Sequence, residues 1–469
     1  MTRFAWKYDL KSSFVVFLVA LPLCLGIALA SGAPVSAGII SGVIGGVVVG
    51  LLGPSHISVS GPAAGLTVIV ATGITDLGSF QRFGLAVFIA GLIQILFFAL
   101  RGGVIGDYFP TAVIKGMLAA IGLILIFKEL PYIVGLSSAP HSFDEINGGI
   151  VAISVLSLGL MLGWDAWVAP RWKLLQFVPG ALVAVVSSVA LNAVFNLAAN
   201  DLLVHLPTSL FENWALPSFS SLDWPVLKLA ITIAIIASLE TLLCIDAADK
   251  IDSYGRRTNK NRELLAQGVG NALAGLVGGL PVTAVIVRST ANVAAGARTK
   301  YSAVLHGMWL LLCVTLVPGF LNLIPMATLA CVLLLVGVKL TKPALYKDMW
   351  GRGPDQFLIF LTTIGVILAT DLLVGITVGF VLALLLDLRR PALSCFEVID
   401  DGDQVRVTFF NNASFFHRPA LARAFSQLPP ERPITIVGMA QVRVHVDVRE
   451  FVNEFMREAK KNNRYVDIS

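Results

Sequence analysis

The 469-residue sequence predicts an all-α polytopic membrane protein followed by a small C-terminal α/β domain. Three observations predict it. Hydrophobic residues make up 56% of the chain and charged residues only 13%, whereas soluble domains carry about a quarter charged residues. Apolar stretches cut by Gly, Pro or single charges fill residues 14–386, and at about 20 apolar residues per spanning helix they amount to about fourteen transmembrane segments. Past residue 386 the composition turns polar, and strand-like and amphipathic helical runs alternate.

Residues 1–13 form a short polar stretch, expected to be a cytoplasmic N-terminus, and residues 14–386 the transmembrane domain. Its segments are expected at 14–30, 37–52, 61–74, 84–100, 111–127, 149–163, 178–197, 226–245, 264–280, 287–295, 301–317, 326–338, 356–370 and 373–386. The basic residues orient them. With the N-terminus inside, alternate loops hold Arg101, then Arg171 and Lys173, then Lys250, Arg256, Arg257, Lys260 and Arg262, then Arg298 and Lys300, then Lys339, Lys342, Lys347 and Arg352. These are the cytoplasmic loops under the positive-inside rule. The loop 198–225 on the other side has Asp201, Glu212 and Asp223 and no Lys or Arg. An even number of spans then puts both termini in the cytoplasm of an inner (plasma) membrane protein. Residues 387–469 read as strand 405–410, amphipathic helix 418–427, strand 434–437 and helix 448–461, the last with Phe451, Phe455 and Ala459 at helical spacing.

Several functions are excluded at this point. A net charge of +5 from 34 basic and 29 acidic residues is too balanced for a nucleic-acid partner. Cys24, Cys244, Cys313, Cys331 and Cys395 are scattered without a CxxC or zinc spacing, as are the six histidines. With no metal-ligand cluster, nucleophile–base pair or phosphate loop, neither an enzyme nor a bound metal or cofactor is expected.

Two apolar segments are short and interrupted by Gly or Pro: 57–66 (Ile-Ser-Val-Ser-Gly-Pro-Ala-Ala-Gly-Leu) and 278–290, which ends Val287-Arg288-Ser289-Thr290. Each reads as an extended stretch turning into a half-helix at membrane depth, third in its half of the chain. Such a pair marks the midplane site of an inverted repeat in secondary transporters; simple helix kinks are the alternative. The two halves share no residue-level similarity, so the repeat rests on segment order.

An anion at the midplane needs positive potential, and the N-terminal ends of two facing half-helices supply it. The turns at Gly61 to Ala64 and at Ser289–Thr290 are placed to do so, with Gly61 and Ala63 keeping side chains out of the way and Ser60, Ser289 and Thr290 adding hydroxyl donors. Small residues serving close helix packing are the other reading. Arg288 is the basic residue of the second broken segment, and a guanidinium in the membrane faces a cavity or a partner; the partner reading is an ion pair with Glu240. Glu240 stands mid-segment, with Cys244 four residues on along the same face. Asp246 and Asp249, beside Lys250, are expected on a solvated face.

With these segments in place the chain resembles the SulP family of inorganic anion transporters, relatives of the solute-carrier sulfate, chloride and bicarbonate exchangers. The residues that carry the resemblance are Asp9-Leu10-Lys11 leading to Ala20-Leu21-Pro22, Ser58 to Gly65, and Asn271 to Gly296 followed by Arg298-Thr299. It implies fourteen spans in two inverted repeats of seven, a core domain moving against a gate domain in an elevator-like manner, a homodimer, and a STAS domain over residues 387–469. Glu240 to Lys250 followed by Asn261 to Gly268 resembles a subgroup associated with carbonic anhydrases, which implies bicarbonate as substrate and a carbonic anhydrase partner. Sulfate-type members carry Gln after the first-segment proline and a Tyr further on, where this chain has Leu23 and Ile27.

The family also implies that Arg288 sets a positive charge beside the anion and that Glu240 serves a coupling cation. That cation is sodium if hydroxyls and carbonyls complete an oxygen shell, and a proton if not. Cys244 stands where a sodium-coupled member is expected to offer Thr, and a thiol is a poor ligand for a hard cation, although Thr241 and Thr283 are at hand to substitute. The STAS-like domain has Val437-Gly438-Met439-Ala440 where phosphorylatable relatives place Ser or Thr after Asp, so assembly is its expected role. The expected function is bicarbonate import by sodium or proton symport. Proton-coupled sulfate or dicarboxylate transport and a passive anion channel are the alternatives.

Overall fold

The computed structural model describes residues 2–135, 148–172, 175, 178–195, 203–204, 217, 219–388, 395–402, 404–429, 432–461 and 465–468. Lys173, Asp201, Glu212, the end of segment 178–197 and residues 389–394 of the expected STAS-like domain lie outside these. The chain divides into two compact units, one of Met1–Gly103 with Ile121–Thr341 and one of Val104–Ala120 with Lys342–Ser469.

The first unit is helical apart from two very short strands. Helix α1 (Thr2–Ala30) is followed by α2 (Val35–Ile44), which runs through a π-helical turn (Gly45–Val49) into α3 (Gly50–Leu52). Strand β1 (Ser60–Pro62) passes through a 3-10 turn (Ala64–Leu66) into α4 (Thr67–Leu77). Gly78, at φ 65, ends α4 in the left-handed conformation, and the Ser79 hydroxyl caps α5 (Phe80–Ala99) by accepting from the Gln81 N–H at 3.3 Å. Then come α6 (Thr111–Ile133), which begins in the other unit, α7 (Gly148–Gly163) and α8 (Gly180–Phe195). Asp223 caps α9 (Trp224–Ile251) with Pro225 in its first turn, and Asn259 caps α10 (Lys260–Leu276). Strand β2 (Val282–Ala284), α11 (Ile286–Ala294), α12 (Tyr301–Leu316), α13 (Pro318–Leu321) and α14 (Met326–Leu340) complete the unit.

Helix α1 lies in the middle of this unit. Phe17, Leu21, Cys24 and Leu25 form a core cluster with Ile39 of α2, Val185 of α8, Leu310 of α12 and Leu329 of α14. Helices α5 and α10 pack at glycine contacts. A Cβ on Gly91 would lie 2.6 Å from the Gly268 carbonyl, and one on Gly275 would lie 2.6 Å from the Gly84 carbonyl. Gly84 and Gly91, like Gly268 and Gly275, are two helical turns apart, so a single seam of small residues lets the backbones approach.

Each expected segment overlaps a helix. Among the described residues, seven helices are long and apolar enough to cross a bilayer, and five shorter apolar helices accompany them. Helices α10 and α11 belong to neither set: α10 carries Glu263, Gln267 and Asn271 on its buried face, and α11 is only nine residues long, with Arg288, Ser289 and Asn292 buried.

In the second unit, the start of α6 joins α15 (Pro343–Gly351), α16 (Pro354–Ala369), α17 (Leu372–Leu388) and a four-stranded sheet. Strands β3 (Phe396–Asp400) and β4 (Val405–Phe409) are antiparallel, with Phe396 opposite Phe409. Strand β5 (Ile434–Val437) is parallel to β4, and β6 (Val466–Ile468) is parallel to β5. The parallel steps are crossed by α18 (Arg418–Ser426) and α19 (Val446–Lys461). Strands β3 and β6 add to the expected strand–helix–strand–helix order. The fully buried residues of α19 are Val448 and Val452, while Phe451 and Phe455 pack against Phe425 of α18. Arg352 ties this layer to the helices by donating to both Glu450 carboxylate oxygens at 2.9 and 3.1 Å, and Asp447 accepts from the Thr111 N–H at 3.2 Å.

Candidate functional site

The two broken segments meet. Strands β1 and β2 pair antiparallel, with Ser60 opposite Ala284, Gly61 opposite Thr283 and Pro62 opposite Val282. The Val285 N–H extends the ladder to the Val59 carbonyl at 3.0 Å. Each strand feeds the half-helix that follows it, so α4 and α11 leave opposite ends of the crossing and both turn their positive N-terminal ends toward it.

Three residues per strand cannot hold such a crossing alone, and buried side chains complete it. Asn271 of α10 acts as a strand partner for Val282, accepting from its N–H at 2.6 Å and donating to its carbonyl at 3.0 Å. The same amide donates to Gln94 of α5, whose own amide reaches Ser238 of α9. Ser41 of α2 donates to the Leu280 carbonyl at 2.9 Å, and Asn292 of α11 donates to the Ile57 carbonyl at 2.9 Å. One turn before Asn271, Gln267 donates to Ser60 Oγ at 2.8 Å and to Glu263 at 3.1 Å. Helix α10 thus presents Glu263, Gln267 and Asn271 as a polar ladder at i, i+4 and i+8. The resemblance had drawn on these residues without giving them a role.

Arg288, third residue of α11, is fully buried over this crossing. Its Nη2 donates to the Pro62 carbonyl at 3.4 Å and to Cys24 Sγ at 3.2 Å, while Nε and Nη1 have no partner. Gly61 leaves room for this group, because a Cβ would fall on Arg288 Nη1 and displace the guanidinium. The predicted anion residues Ser60, Gly61 and Ala63 are buried around the crossing, with Ala64 beside them at the first position of the 3-10 turn. Ser289 is occupied otherwise, accepting from the Val59 N–H at 3.1 Å and donating to the Val285 carbonyl at 2.9 Å, which latches the two segments. Thr290 is exposed on another face of α11, lining a cavity of about 330 Å³ with Val19, Leu23, Val332 and Lys339.

Glu240 lies at the opposite end of the same short segment. Its carboxylate backs onto Gly65, where a Cβ would stand 2.7 and 2.8 Å from the two oxygens, and Oε2 is buried without a partner. Among the described residues no ion pair joins Glu240 to Arg288, which removes the expected structural alternative for both. Of the other candidates for cation coupling, Thr241 accepts from the Ala284 N–H at 3.3 Å and Thr283 donates to the Ala284 carbonyl at 3.3 Å, while Cys244 follows Thr241 on α9. Thr241 thereby braces the second broken segment from α9.

Asp246 and Asp249 are half-buried at the end of α9. Asp246 pairs with Lys260 at 2.8 Å, and Asp249 accepts from the Thr258 N–H and hydroxyl at 2.7 and 2.6 Å, closing the turn between α9 and α10. Beyond α9, burial works against the Asp252 charge, but hydrogen bonds from Arg256 at 2.7 and 2.9 Å outweigh it and hold the carboxyl below its usual range. Asp9 accepts from the Arg298 and Thr299 N–H groups at 2.8 and 3.0 Å, joining two stretches that carried the resemblance from opposite ends of the unit. Glu129, just past the expected end of its segment, continues α6 and is fully buried with neither carboxyl oxygen bonded.

Two half-helices whose positive ends face a buried arginine, in a chain this apolar, mark an integral membrane protein of the anion-transporter class, and the family match bears this out. The chain belongs to the sulfate permease family, which its residues 6–363 match. It is 28% identical over 405 residues to YvdB of Bacillus subtilis (strain 168), a protein named for sulfate transport, covering 82% of this chain and 74% of that one. It is also 28% identical over 426 residues to the bicarbonate transporter BicA of Picosynechococcus sp. (strain ATCC 27264 / PCC 7002 / PR-6), covering 85% and 74%. The fold resembles the transmembrane domain of a cyanobacterium bicarbonate transporter BicA, with a TM-score of 0.69 at 22% identity over 81% of this chain and 98% of that structure.

Proposed function

We propose that this protein imports bicarbonate by cation symport, the anion sitting at the β1–β2 crossing and the cation at Glu240. One observation carries the reading: four residues apart on one buried segment, Gly61 bears an unpaired guanidinium edge and Gly65 an unpaired carboxylate oxygen. Neither charge answers the other, and each is costly in a low-dielectric interior until a ligand neutralises it. An anion at Arg288 and a cation at Glu240 do so together, and both ride on the same segment when it moves. The Val287 and Arg288 N–H groups lie in the first turn of α11, where no intrahelical acceptor exists, and they complete the anion's donors.

The fuller reading is a transmembrane domain over residues 14–386 with fourteen spans in two inverted repeats. It works as an elevator in a homodimer of the inner membrane, with both termini and a STAS-like domain (387–469) in the cytoplasm and a carbonic anhydrase as partner. The BicA likeness supports bicarbonate. The likeness to YvdB supports sulfate as the second reading, and the sulfur at Cys244 supports a proton over sodium as the coupling ion.

The test is uptake of labelled bicarbonate, sulfate and fumarate into proteoliposomes under imposed sodium or proton gradients. Accumulation of bicarbonate driven by either gradient is expected. Accumulation of sulfate alone transfers the assignment to the second reading, and flux that ignores both gradients makes the protein a passive channel.

A further inference from the structure

His306, in the first half of α12, is fully buried, and neither ring nitrogen has a hydrogen-bond partner. An imidazole enclosed in this way leaves a donor and an acceptor unsatisfied, a costly state in an apolar interior. Arg288 is likewise fully buried with Nε and Nη1 unpartnered. The two unsatisfied groups belong to one neighbourhood. The turn Gly45–Val49 is pressed between β1 and α12: a Cβ on Gly45 would lie 2.5 Å from the Ser60 carbonyl group, and one on Gly46 would lie 2.6 Å from Gly307 Cα. On the other flank a Cβ on Gly42 would meet both Cys24 Sγ at 2.8 Å and Leu310 at 2.7 Å, and Cys24 Sγ is the atom that accepts from Arg288. Leu310 is one turn beyond His306 on the same face of α12.

The chemistry of the pair is complementary. A guanidinium has donors and no acceptor, whereas a neutral imidazole has one lone pair to offer. Polar groups left unpaired in a buried region are bridged by ordered water making about three hydrogen bonds. We propose that His306 is a positioning residue of the anion site, its unprotonated ring nitrogen accepting from Arg288 through one buried water and so holding the guanidinium over Gly61. The inference rests on the reading of Arg288 as the positive group of that site.

The experiment compares full-length wild type, His306→Leu, His306→Gln, Arg288→Ala and the His306→Leu/Arg288→Ala double variant in proteoliposomes, with labelled bicarbonate and sulfate as probes and melting in detergent as the fold control. His306→Leu should raise the Michaelis constant of the transported anion about tenfold, the loss expected for one hydrogen bond to a charged group, with the maximal rate within about twofold and melting undiminished. His306→Gln keeps an acceptor and should restore the constant to within about threefold of wild type. The double variant should be no worse than Arg288→Ala alone.

An unchanged constant in His306→Leu beside a raised one in Arg288→Ala overturns the proposal. So does an equal loss in His306→Leu and His306→Gln accompanied by lower melting, which marks a packing role. An unchanged constant in Arg288→Ala overturns the reading of the site itself. If His306→Leu fails to fold, His306→Met, unbranched and without an N–H, is judged by the same criteria.

Discussion

Replacing Gly61 by alanine tests whether the position of the Arg288 guanidinium, and not merely its charge, makes the anion site. A Cβ at 61 falls on Nη1, so the group must move. It is fully buried and held by the Pro62 carbonyl at 3.4 Å and Cys24 Sγ at 3.2 Å, and moving it breaks at least one of these contacts. A hydrogen bond to a charged group contributes about 1.5–3 kcal/mol, which corresponds to a rise in Michaelis constant of roughly 10- to 150-fold. The paired strand accepts alanine readily, so the protein should still fold, its melting lowered by no more than the broken Arg288 contacts. Arg288→Lys takes the planar fork away from Gly61, and the double variant Gly61→Ala/Arg288→Lys should therefore bind anion about as well as Arg288→Lys alone. The assay is the concentration dependence of bicarbonate and sulfate uptake in proteoliposomes for the four proteins of this cycle. Wild-type affinity in Gly61→Ala, or strictly additive losses in the double variant, would refute the argument that Gly61 exists to seat the guanidinium.

Glu240→Gln keeps the size of the side chain and its fit against Gly65 but removes the charge; anion binding should survive while accumulation driven by a sodium or proton gradient is lost, and undiminished accumulation would assign Glu240 a structural role. Asn271→Leu strips three buried hydrogen bonds, those to the Val282 N–H and carbonyl and to the Gln94 side-chain oxygen; at about 1–3 kcal/mol for each group left unsatisfied, the variant should melt well below wild type, and an equal melting temperature would show that the strand crossing does not depend on it. Truncation after Leu386 removes Asp447 and Glu450, the partners of Thr111 and Arg352; affinity for the anion should remain while the dimer weakens, and a truncated protein that stays dimeric at full transport rate would remove the proposed role of the C-terminal domain.

The sequence by itself determined the membrane class, the positions of the helices and the two places where helices break. These are properties of local composition: apolar length, Gly and Pro interruptions, and caps such as Asp223 and Asn259 act within a few residues of where they stand. It also singled out Arg288 and Glu240, since a charge inside an apolar segment is conspicuous without any fold. What it could not decide was who meets whom. An Arg288–Glu240 pair and an unoccupied Ser289 hydroxyl were both consistent with spacing along the chain, and only the tertiary structure shows the first unmade and the second bonded, because hydrogen bonds across 230 residues, such as Val59 to Ser289, leave no periodic trace. Gln267, Asn271 and Ser41 escaped notice for a related reason. As isolated polar residues on helices they have no chemistry of their own, and they acquire a function only when the antiparallel pairing of β1 with β2 brings unsatisfied backbone groups within their reach.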